Sequence, residues 1–240
     1  MQKPTISKRI PSGIPGLDEL ILGGFVKGSV NLIAGMTGSG KTIFCLQFAL
    51  NCLKNGGKVI YLTLEESMED ILDDVEEFGW KSIFQNYIKT KRFSLTEKSA
   101  TDIMGINETT EELIKQTRAD VFILDSLSVA TLGWSEAIKD IGKMRSDILG
   151  LLTTLKKGGI TSLLISEIPE EEEKKLSRFG FEEFVVDSVI KLNYFGIGES
   201  VIPTLEVRKM RRTRHAKGRS KIEFSNKGLR IVSEKEKLHF

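Results

Sequence analysis

An eight-residue segment near the start of the chain has the residue types and spacing of a phosphate-binding loop. It reads GMTGSGKT and fits the pattern G-x-x-x-x-G-K-[ST]. Glycines let successive backbone N–H groups curl around an anion, and the start of a following helix adds partial positive charge. A nucleotide is therefore expected to contact Gly35, Thr37, Gly38, Ser39, Gly40, Lys41, Thr42 and Ile43.

Two side chains of this segment have a more specific expected chemistry. Lys41 should reach the β- and γ-phosphates of ATP or ADP, and the Thr42 hydroxyl should hold Mg²⁺. Asp125 is the second expected Mg²⁺ ligand, because it ends the apolar run Val121–Leu124. A glycine-rich turn with an incidental lysine is the plainer alternative, but it explains neither the spacing nor the elements on either side.

Hydrolysis also needs a group that takes a proton from water, and two adjacent carboxylates could supply it. Glu65 and Glu66 follow the apolar run Leu62-Thr63-Leu64. Adjacent side chains of a strand point to opposite faces, so one of the pair should face the γ-phosphate. We favour Glu65 as the base, with Glu66 as its electrostatic neighbour. Glu66 could instead simply begin the next helix, where a carboxylate suits the helix dipole.

The elements that must position these residues alternate between short apolar runs and longer helical patterns. This alternation is typical of βαβ units, so we expect an α/β fold with a mainly parallel central sheet flanked by helices. The four strand candidates are nearly continuous in apolar character, as strands covered on both faces should be. They are Val30 to Ala34, Lys58 to Leu64, Asp120 to Leu124 and Ile160 to Ile165.

Helix-start and helix-stop residues give further boundaries. Four helices are expected. The first begins at Thr42, and the second runs from Met68 to Phe78 behind a Ser67/Asp70 capping box. The third follows Thr109, with Glu112 in the same capping relation, and the fourth runs from Ser135 to Lys157. Beyond Phe184 the pattern changes to strands without helices between them, which predicts an antiparallel extension of the same sheet. Its strands are expected at Phe184 to Asn193, Val201 to Thr213 and Lys221 to Val232, the last folded at residues 226–228.

Composition and charge limit the class of protein. The chain has 240 residues and a net charge of +2, from which we expect one domain over residues 1–240 with loose ends at 1–10 and 233–240. No signal-peptide pattern or bilayer-length apolar run is visible, so we expect a soluble, cytoplasmic protein without membrane contact. Eight basic residues and no acidic residue lie between Arg208 and Lys221, which leaves the remainder of the chain about six charges negative.

Several segments in one order resemble the KaiC family of the RecA superfamily. They are SGIPGLDEL at 12–20, Gly23-Gly24, GMTGSGKT at 35–42, Glu65-Glu66, Phe78-Gly79-Trp80 and Lys209-Met210-Arg211. The similarity covers nearly the whole chain and is to a single-domain, archaeal-type KaiC-like ATPase. It implies a RecA-like P-loop NTPase core, with nucleotide held between the subunits of a hexameric ring.

The resemblance also gives the basic stretch a role. Lys209 and Arg211 match the pair that reaches across the subunit interface to the neighbour's γ-phosphate. Thr213 and His215 match positions that contact the neighbour's sugar-phosphate, although His215 could equally be an ordinary exposed histidine. An extended strand would put Lys209 and Arg211 on one face with Leu205 and Val207. Ser166-Glu167 matches the family's polar sensor position, but a solvated strand end would look similar.

Three functional hypotheses remain at this stage. The first is an ATPase ring that serves as a regulatory switch and recruits partner proteins. The second is a RadA-paralogue-type ATPase that binds single-stranded DNA. The acidic run Glu170–Glu173 argues against it, and Trp134 could stack on a base or belong to an interface. The residues that favour it are basic: Arg208, Arg212, Arg214, Lys217 and Arg219. The third is an autokinase, which the segment 177–187 disfavours because Glu183 and Phe184 stand at the matching phosphoacceptor positions.

Overall fold

A nine-stranded β-sheet runs through the residues that the computed structural model describes, which are 8–99, 103–130, 141–172, 174–197 and 200–232. Its strands are β3 (Val30–Gly35), β4 (Val59–Thr63), β5 (Phe93–Glu97), β6 (Val121–Asp125), β7 (Thr161–Glu167), β8 (Ser188–Ile197), β9 (Ser200–Met210), β10 (Arg219–Ser225) and β11 (Gly228–Ile231). A separate antiparallel pair joins β1 (Arg9–Ile10) to β2 (Phe25–Val26).

The strand order is β11-β10-β9-β8-β3-β7-β6-β4-β5. The strands from β3 to β8 are parallel, and β9, β10 and β11 extend the sheet in antiparallel pairing. The strand β3 pairs with β7 on one side and with β8 on the other. The chain changes direction across the sheet at this point, because β4 to β7 lie on one side of β3 and the next strand, β8, lies on the other. Open α/β sheets place ligand sites at the carboxyl ends of their strands near such a point.

Helices cover both faces of the parallel part of the sheet. They are α1 (Leu17–Leu20), α2 (Lys41–Lys54), α3 (Met68–Asp74), α4 (Lys81–Lys89), α5 (Ile103–Thr117), α6 (Leu127–Ala130), α7 (Ile141–Lys157) and α8 (Glu182–Val185). Successive side chains of a strand point to opposite faces, so the apolar strands feed two cores. Ile33 and Tyr61 join α2 in one core, whereas Leu32 and Leu62 join α5 and α7 in the other.

The four predicted strands of the parallel sheet are present, with ends that differ by one or two residues from the predicted ones. The Ser67/Asp70 capping box also forms, although α3 ends at Asp74 and not at Phe78. The prediction for α5 was wrong: Thr109 lies inside this helix, where its hydroxyl donates to the Gly105 carbonyl. The first part of the helix expected from Ser135, and Trp134 with it, lie outside the described residues.

The antiparallel extension differs from its prediction at both ends of its first two strands. Phe184 belongs to α8, and β8 begins only at Ser188. In β9, a β-bulge opposite Val189 and Ile190 shifts the register, so Met210 joins Leu205 and Val207 in the core. A bulge adds one residue to one strand and reverses the facing of the residues beyond it. Lys209 therefore does not share a face with Leu205 and Val207, contrary to the prediction.

Three described segments depart from the remaining expectations. Arg9 and Ile10, within the expected loose terminus, pair with Val26 and Phe25. The strand β5 and the helix α4 were not predicted at all.

Within the described ranges, no helix combines the length and apolar character that a bilayer crossing requires.

Candidate functional site

The loop between β3 and α2 is folded tightly against neighbouring strands. Gly35 lies so close to β8 that a Cβ built on it would stand 2.5 Å from the Leu192 carbonyl oxygen and 2.5 Å from Ser39 Oγ. Gly40 has a φ of 87° and precedes the first residue of α2. Only glycine meets both requirements without strain, because it lacks a Cβ. The loop is thereby held with its concave side toward the start of α2.

Hydrogen bonds from two elements meet at the carboxylate of Asp125, which ends β6. The Thr42 hydroxyl, at the start of α2, donates to Asp125 Oδ2 over 2.9 Å. The Tyr61 hydroxyl, from β4, donates to the same oxygen over 2.6 Å. The adjacent ammonium of Lys41 donates to the Met36 carbonyl over 2.9 Å and so closes the loop on itself.

A cavity of about 320 Å³ opens over this loop. Its described lining includes four carboxylates but one cation, Lys41, and the full set is Thr37, Gly38, Gly40, Lys41, Thr42, Ile43, Glu65, Glu66, Asp125, Ser126, Ile165 and Glu167. Most of the residues expected from sequence to contact nucleotide, base and metal therefore line one space. Gly35 and Ser39 are the exceptions among the expected loop residues, because neither is part of this described lining.

Burial shifts the proton affinities of two groups in this cavity. The pKa of Lys41 is lowered below its ordinary value by burial, and Glu167, Asp125 and Glu65 offset part of that effect by their negative charge. Burial raises the pKa of Asp125 to about 6, although the hydrogen bonds from Tyr61 and Thr42 oppose the rise. Both groups would gain from a ligand that brings the opposite charge close to them.

The two adjacent carboxylates have different surroundings. Glu65 Oε1 accepts a hydrogen bond from the Ser126 hydroxyl, which fixes its carboxylate beside the end of β6. Glu66 is held through its backbone, because its N–H donates to Thr63 Oγ1 over 3.1 Å and its carbonyl accepts from the same hydroxyl. Partial desolvation, then Asp74, Asp125 and Glu65, raises the pKa of Glu66 to about 7.

Two aromatic side chains from the antiparallel extension support the outer side of the loop. A Cβ on Gly40 would lie 2.3 Å from the ring of Phe224, so this ring packs directly on the loop backbone. The Tyr194 hydroxyl donates to the Gly38 carbonyl over 2.8 Å. The extension therefore contributes to the shape of the loop, which its position late in the sequence does not suggest.

Lys209 and Arg211 lie near the amino ends of the parallel strands, whereas this cavity lies at their carboxyl ends. Lys209 Nζ donates to the carbonyls of Glu183 and Val186, each over 2.8 Å, and Arg211 Nη2 donates to the Phe184 carbonyl over 3.1 Å. Their strand end is adjacent to Asp187, whose N–H bonds to the carbonyl of Val30 at the beginning of β3. The loop follows the other end of β3, five residue steps or roughly 17 Å away.

The other two residues expected to contact a neighbour's nucleotide, Thr213 and His215, also lie away from the cavity. Thr213 Oγ1 accepts a hydrogen bond from the Arg9 guanidinium over 2.9 Å, which ties the stretch to the N-terminal segment. His215 Nδ1 lies 2.9 Å from the carbonyl of Ala216, and its Nε2 lies 3.4 Å from Lys217 Nζ. Within one chain, the residues expected from sequence therefore form two groups, which lie at opposite ends of the parallel strands.

The oxygen atoms at Thr42 and Asp125 suit a hard divalent cation. Mg²⁺ prefers oxygen ligands and commonly takes only one or two from the protein, with water and phosphate completing its shell. The described residues contain no cluster of three or more His, Cys, Asp or Glu side chains able to enclose a metal ion. The donor set fits a cation that arrives together with phosphate groups.

Sequence reasoning did not single out Tyr61 and Ser126, and it gave Glu167 as part of the family's polar sensor position or of a solvated strand end. Tyr61 is completely buried inside an apolar strand, which makes it look like a core aromatic; a buried hydroxyl nonetheless needs a partner. Ser126 could have been found from its position directly after Asp125. Glu167 lines the cavity at the end of β7, and its N–H donates to Ser128 Oγ over 2.8 Å.

Comparison with known proteins agrees with this architecture. The family described as "ATPase: KaiC" matches residues 10–236. The circadian clock oscillator protein KaiC of Parasynechococcus marenigrum is 30% identical over 235 residues, which are 93% of this chain and 44% of that protein. KaiC3 of Synechocystis is 30% identical over 237 residues, 94% of this chain and 46% of that protein. The chain thus spans less than half the length of these relatives.

A solved structure extends the likeness to three dimensions. The crystal structure of a KaiC-like protein from the hyperthermophilic archaeon Pyrococcus horikoshii OT3 superposes with a TM-score of 0.84 and 32% sequence identity. The match covers 95% of this chain and 100% of that one. The sheet order, the loop after β3 and the two sequence relatives lead to one conclusion: the chain belongs to the KaiC family of ATPases and has its RecA-like fold.

Proposed function

We propose that the chain hydrolyses ATP with Mg²⁺ at a site shared between adjacent copies of itself, in a closed ring of six subunits. The observation that carries this proposal is the charge of the cavity over the loop. Four carboxylates and one lysine line it, so a triphosphate would meet a net negative surface. Additional cations must come from outside the lining, and Lys209 and Arg211 are too far away within one chain.

Each group at the cavity then has a defined part. Thr42 and Asp125 would hold Mg²⁺, which would supply positive charge beside the phosphates. Lys41 exchanges its hydrogen bond to the Met36 carbonyl for one to a phosphate oxygen. Glu65, fixed by Ser126, accepts the proton of the attacking water, and Glu66 is the second candidate for that step.

Lys209 and Arg211 of the next copy supply the missing positive charge. Both side chains now bond to carbonyl oxygens around α8 and are partly solvent-exposed, so a neighbour can approach them. Thr213 and His215 are proposed to contact the sugar-phosphate of the same neighbour. Loss of an arginine that stabilises phosphoryl transfer in this way costs about a thousand-fold or more in rate.

Mixed assemblies test the shared site directly. Arg211→Ala and Glu65→Gln chains should each bind ATP and hydrolyse it slowly, because each lacks one side of every interface. Mixing them in equal amounts should restore activity at about a quarter of the interfaces of a head-to-tail ring. A mixture of Glu65→Gln with Lys41→Ala is the control and should stay inactive, because both changes disable the same side. Recovery in neither mixture would contradict action between copies.

The biological role we propose is a regulatory or signalling switch that recruits partner proteins. The relatives carry names of circadian clock proteins, which favours this role. Single-stranded-DNA binding is the alternative, favoured by the exposed side chains of Arg208, Arg212 and Arg214. Binding of a labelled single strand across a salt series separates the two, because affinity carried by these arginines should fall steeply with salt.

A further inference from the structure

A second cavity, of about 560 Å³, lies on the face of β8, β9 and β10 that points away from α2. The loop after β7 closes one side of it. Its described lining is Lys174, Leu176, Lys191, Tyr194, Phe195, Gly196, Glu206, Arg208 and Arg219, and none of these residues lines the cavity over the β3–α2 loop. It is therefore a separate space.

Strand alternation explains why polar residues line this second cavity. Ile190 and Leu192 of β8, and Leu205 and Val207 of β9, point into the core around α2. Their neighbours in sequence must point to the opposite face. On that face, the strands carry charged residues where a helix-covered sheet would carry apolar ones. This part of the sheet is suited to a charged ligand and not to a packed helix.

The lining of the second cavity has an excess of positive charge. Lys174, Lys191, Arg208 and Arg219 face Glu206, whose Oε1 is 2.7 Å from Arg208 Nη1. Lys191 is only 6% exposed, and its ammonium donates to the Lys175 carbonyl over 3.1 Å.

Three residues of the nearby acidic run do not contribute to this described lining. Glu170–Glu172 are absent from the described lining, and Glu172 pairs instead with Lys175 over 2.6 Å. An anion that entered the cavity would meet Lys174, Arg208 and Arg219 at close range, and each could give it a charge-assisted hydrogen bond.

An aromatic ring stands among these cations. Phe195 is 41% exposed, although a large apolar side chain gains by burial. The Arg219 guanidinium carbon lies 4.7 Å from the centre of its ring. Exposed aromatic rings next to arginines are the combination that holds a nucleotide base by stacking and its phosphate by ion pairing.

We propose that the second cavity binds a nucleotide unit, either as a free mononucleotide or within a single strand. Arg208, Arg219 and Lys174 contact the phosphate, and Phe195 stacks on the base. This binding is independent of ATP hydrolysis at the β3–α2 loop. The shared chemistry of the two sources is one phosphate and one base held side by side.

The test uses the full chain carrying Lys41→Ala, so that nucleotide binding at the β3–α2 loop does not contribute. The probes are thymidine monophosphate, inorganic phosphate and fluorescein-labelled deca-thymidylate, measured by calorimetry and fluorescence anisotropy. Changing Arg208 and Arg219 together to Gln should weaken binding about tenfold or more. The matched control changes Arg118 and Arg145 to Gln, two exposed arginines outside the described lining of the cavity, which removes the same charge and should have less than about a twofold effect.

Phe195→Leu separates base stacking from charge. It should weaken binding of thymidine monophosphate or the single strand but leave inorganic phosphate binding unchanged. Binding of the mononucleotide identifies a free nucleotide as the source, and binding of deca-thymidylate alone identifies a single strand. The proposal is overturned if no probe binds, if the two arginine pairs have equal effects, or if Phe195→Leu changes nothing. Melting temperatures within a few degrees of the parent would show that these exposed substitutions leave the fold intact.

Discussion

Lys41 is the one cation among the described residues that line the cavity over the β3–α2 loop, and its ammonium bonds to the loop's own Met36 carbonyl. Burial lowers its pKa, whereas three surrounding carboxylates favour its charged form. A triphosphate would give this ammonium a stronger acceptor than a carbonyl, because phosphate oxygens carry negative charge and add a Coulomb attraction to the hydrogen bond. The affinity for nucleotide should therefore depend strongly on this one side chain.

Lys41→Ala should weaken ATP binding by at least about 100-fold, which corresponds to the loss of one or two charge-assisted hydrogen bonds. Titration with a fluorescent ATP analogue would measure the change. Lys54→Ala is the control, because Lys54 is an exposed lysine at the other end of α2 and should leave affinity unchanged. Near-normal affinity of Lys41→Ala would contradict the assignment of the loop.

Glu66 makes the stability of the fold depend on pH. Its pKa rises from 4.5 to about 7 on folding, so the folded chain keeps a proton that the unfolded chain has released. Stability therefore falls as pH rises between these two values, and the penalty stays constant above them. At low pH the group is protonated in both states and has no effect.

Replacing Glu66 by Gln should remove this penalty. We expect the melting temperature of Glu66→Gln to exceed that of the parent at pH 8 and to equal it at about pH 3.5, below both pKa values, as measured by calorimetry. Glu69→Gln, an exposed carboxylate on α3, is the control. A gain of the same size at both pH values would mean that the glutamine acts through packing and not through ionisation.

At the scale of elements, the contact between β3 and β8 sets the position of the loop. The two strands are in register from Asn31 and Ser188 to Gly35 and Leu192. Gly35 has space for no side chain there, because the obstruction is the backbone carbonyl of Leu192. Backbone in the middle of a sheet cannot move aside as a flexible side chain can, so any added atom must separate the strands.

Gly35→Ala should cost about 1–3 kcal/mol of unfolding free energy, the usual range for overpacking a tight core position. Urea unfolding followed by circular dichroism would measure the change. The control is Gly196→Ala in β8, where an added Cβ meets no atom within 4 Å. If the two variants lose equal stability, the close contact is not the cause.

The sequence predicted the elements whose signals are local and continuous. The parallel strands β3, β4, β6 and β7 are apolar runs, and glycine spacing marked the loop. It did not predict β5, because Ser94 and Thr96 interrupt its apolar pattern and pairing with β4 stabilises it. Register shifts such as the bulge in β9 depend on the partner strand, so the facing of Lys209 could not be read from alternation alone.

The cavity was predictable only in part for the same reason. Residues in the loop and at strand ends follow from motif and position. Tyr61, Tyr194 and Phe224 approach the loop or Asp125 through contacts between distant segments, and no spacing in the sequence encodes those contacts. Long-range packing therefore supplies the part of the site that holds the loop in place.

At the scale of the whole molecule, the two groups of proposed catalytic residues lie at opposite ends of the strands of one sheet. A head-to-tail contact, which brings different surfaces of two copies together, would join them. Such contacts repeat from copy to copy, and they close into a ring when the rotation between neighbours allows it. A dimer with two-fold symmetry would pair the two groups only if both lay on its one self-complementary surface.

Mass measurement should detect this assembly. With ATP and Mg²⁺ bound, we expect the native mass to be a multiple of the 26.8 kDa chain, with six copies as the proposed number. Asp125→Asn should shift assembly to higher Mg²⁺ concentration if the cation helps to hold the nucleotide at the interface. A strict monomer in every condition would rule out the shared site.

In the proposed shared site, the separation between Lys209 and the β3–α2 loop makes the turnover of each chain depend on the copies next to it. In any open stack, the first copy offers a lysine and an arginine that meet no phosphate, and the last copy holds a nucleotide that no neighbour reaches. Dilution creates more of these idle ends. Turnover per chain should therefore fall on dilution well before the nucleotide dissociates, and only closure into a ring would let every bound ATP react.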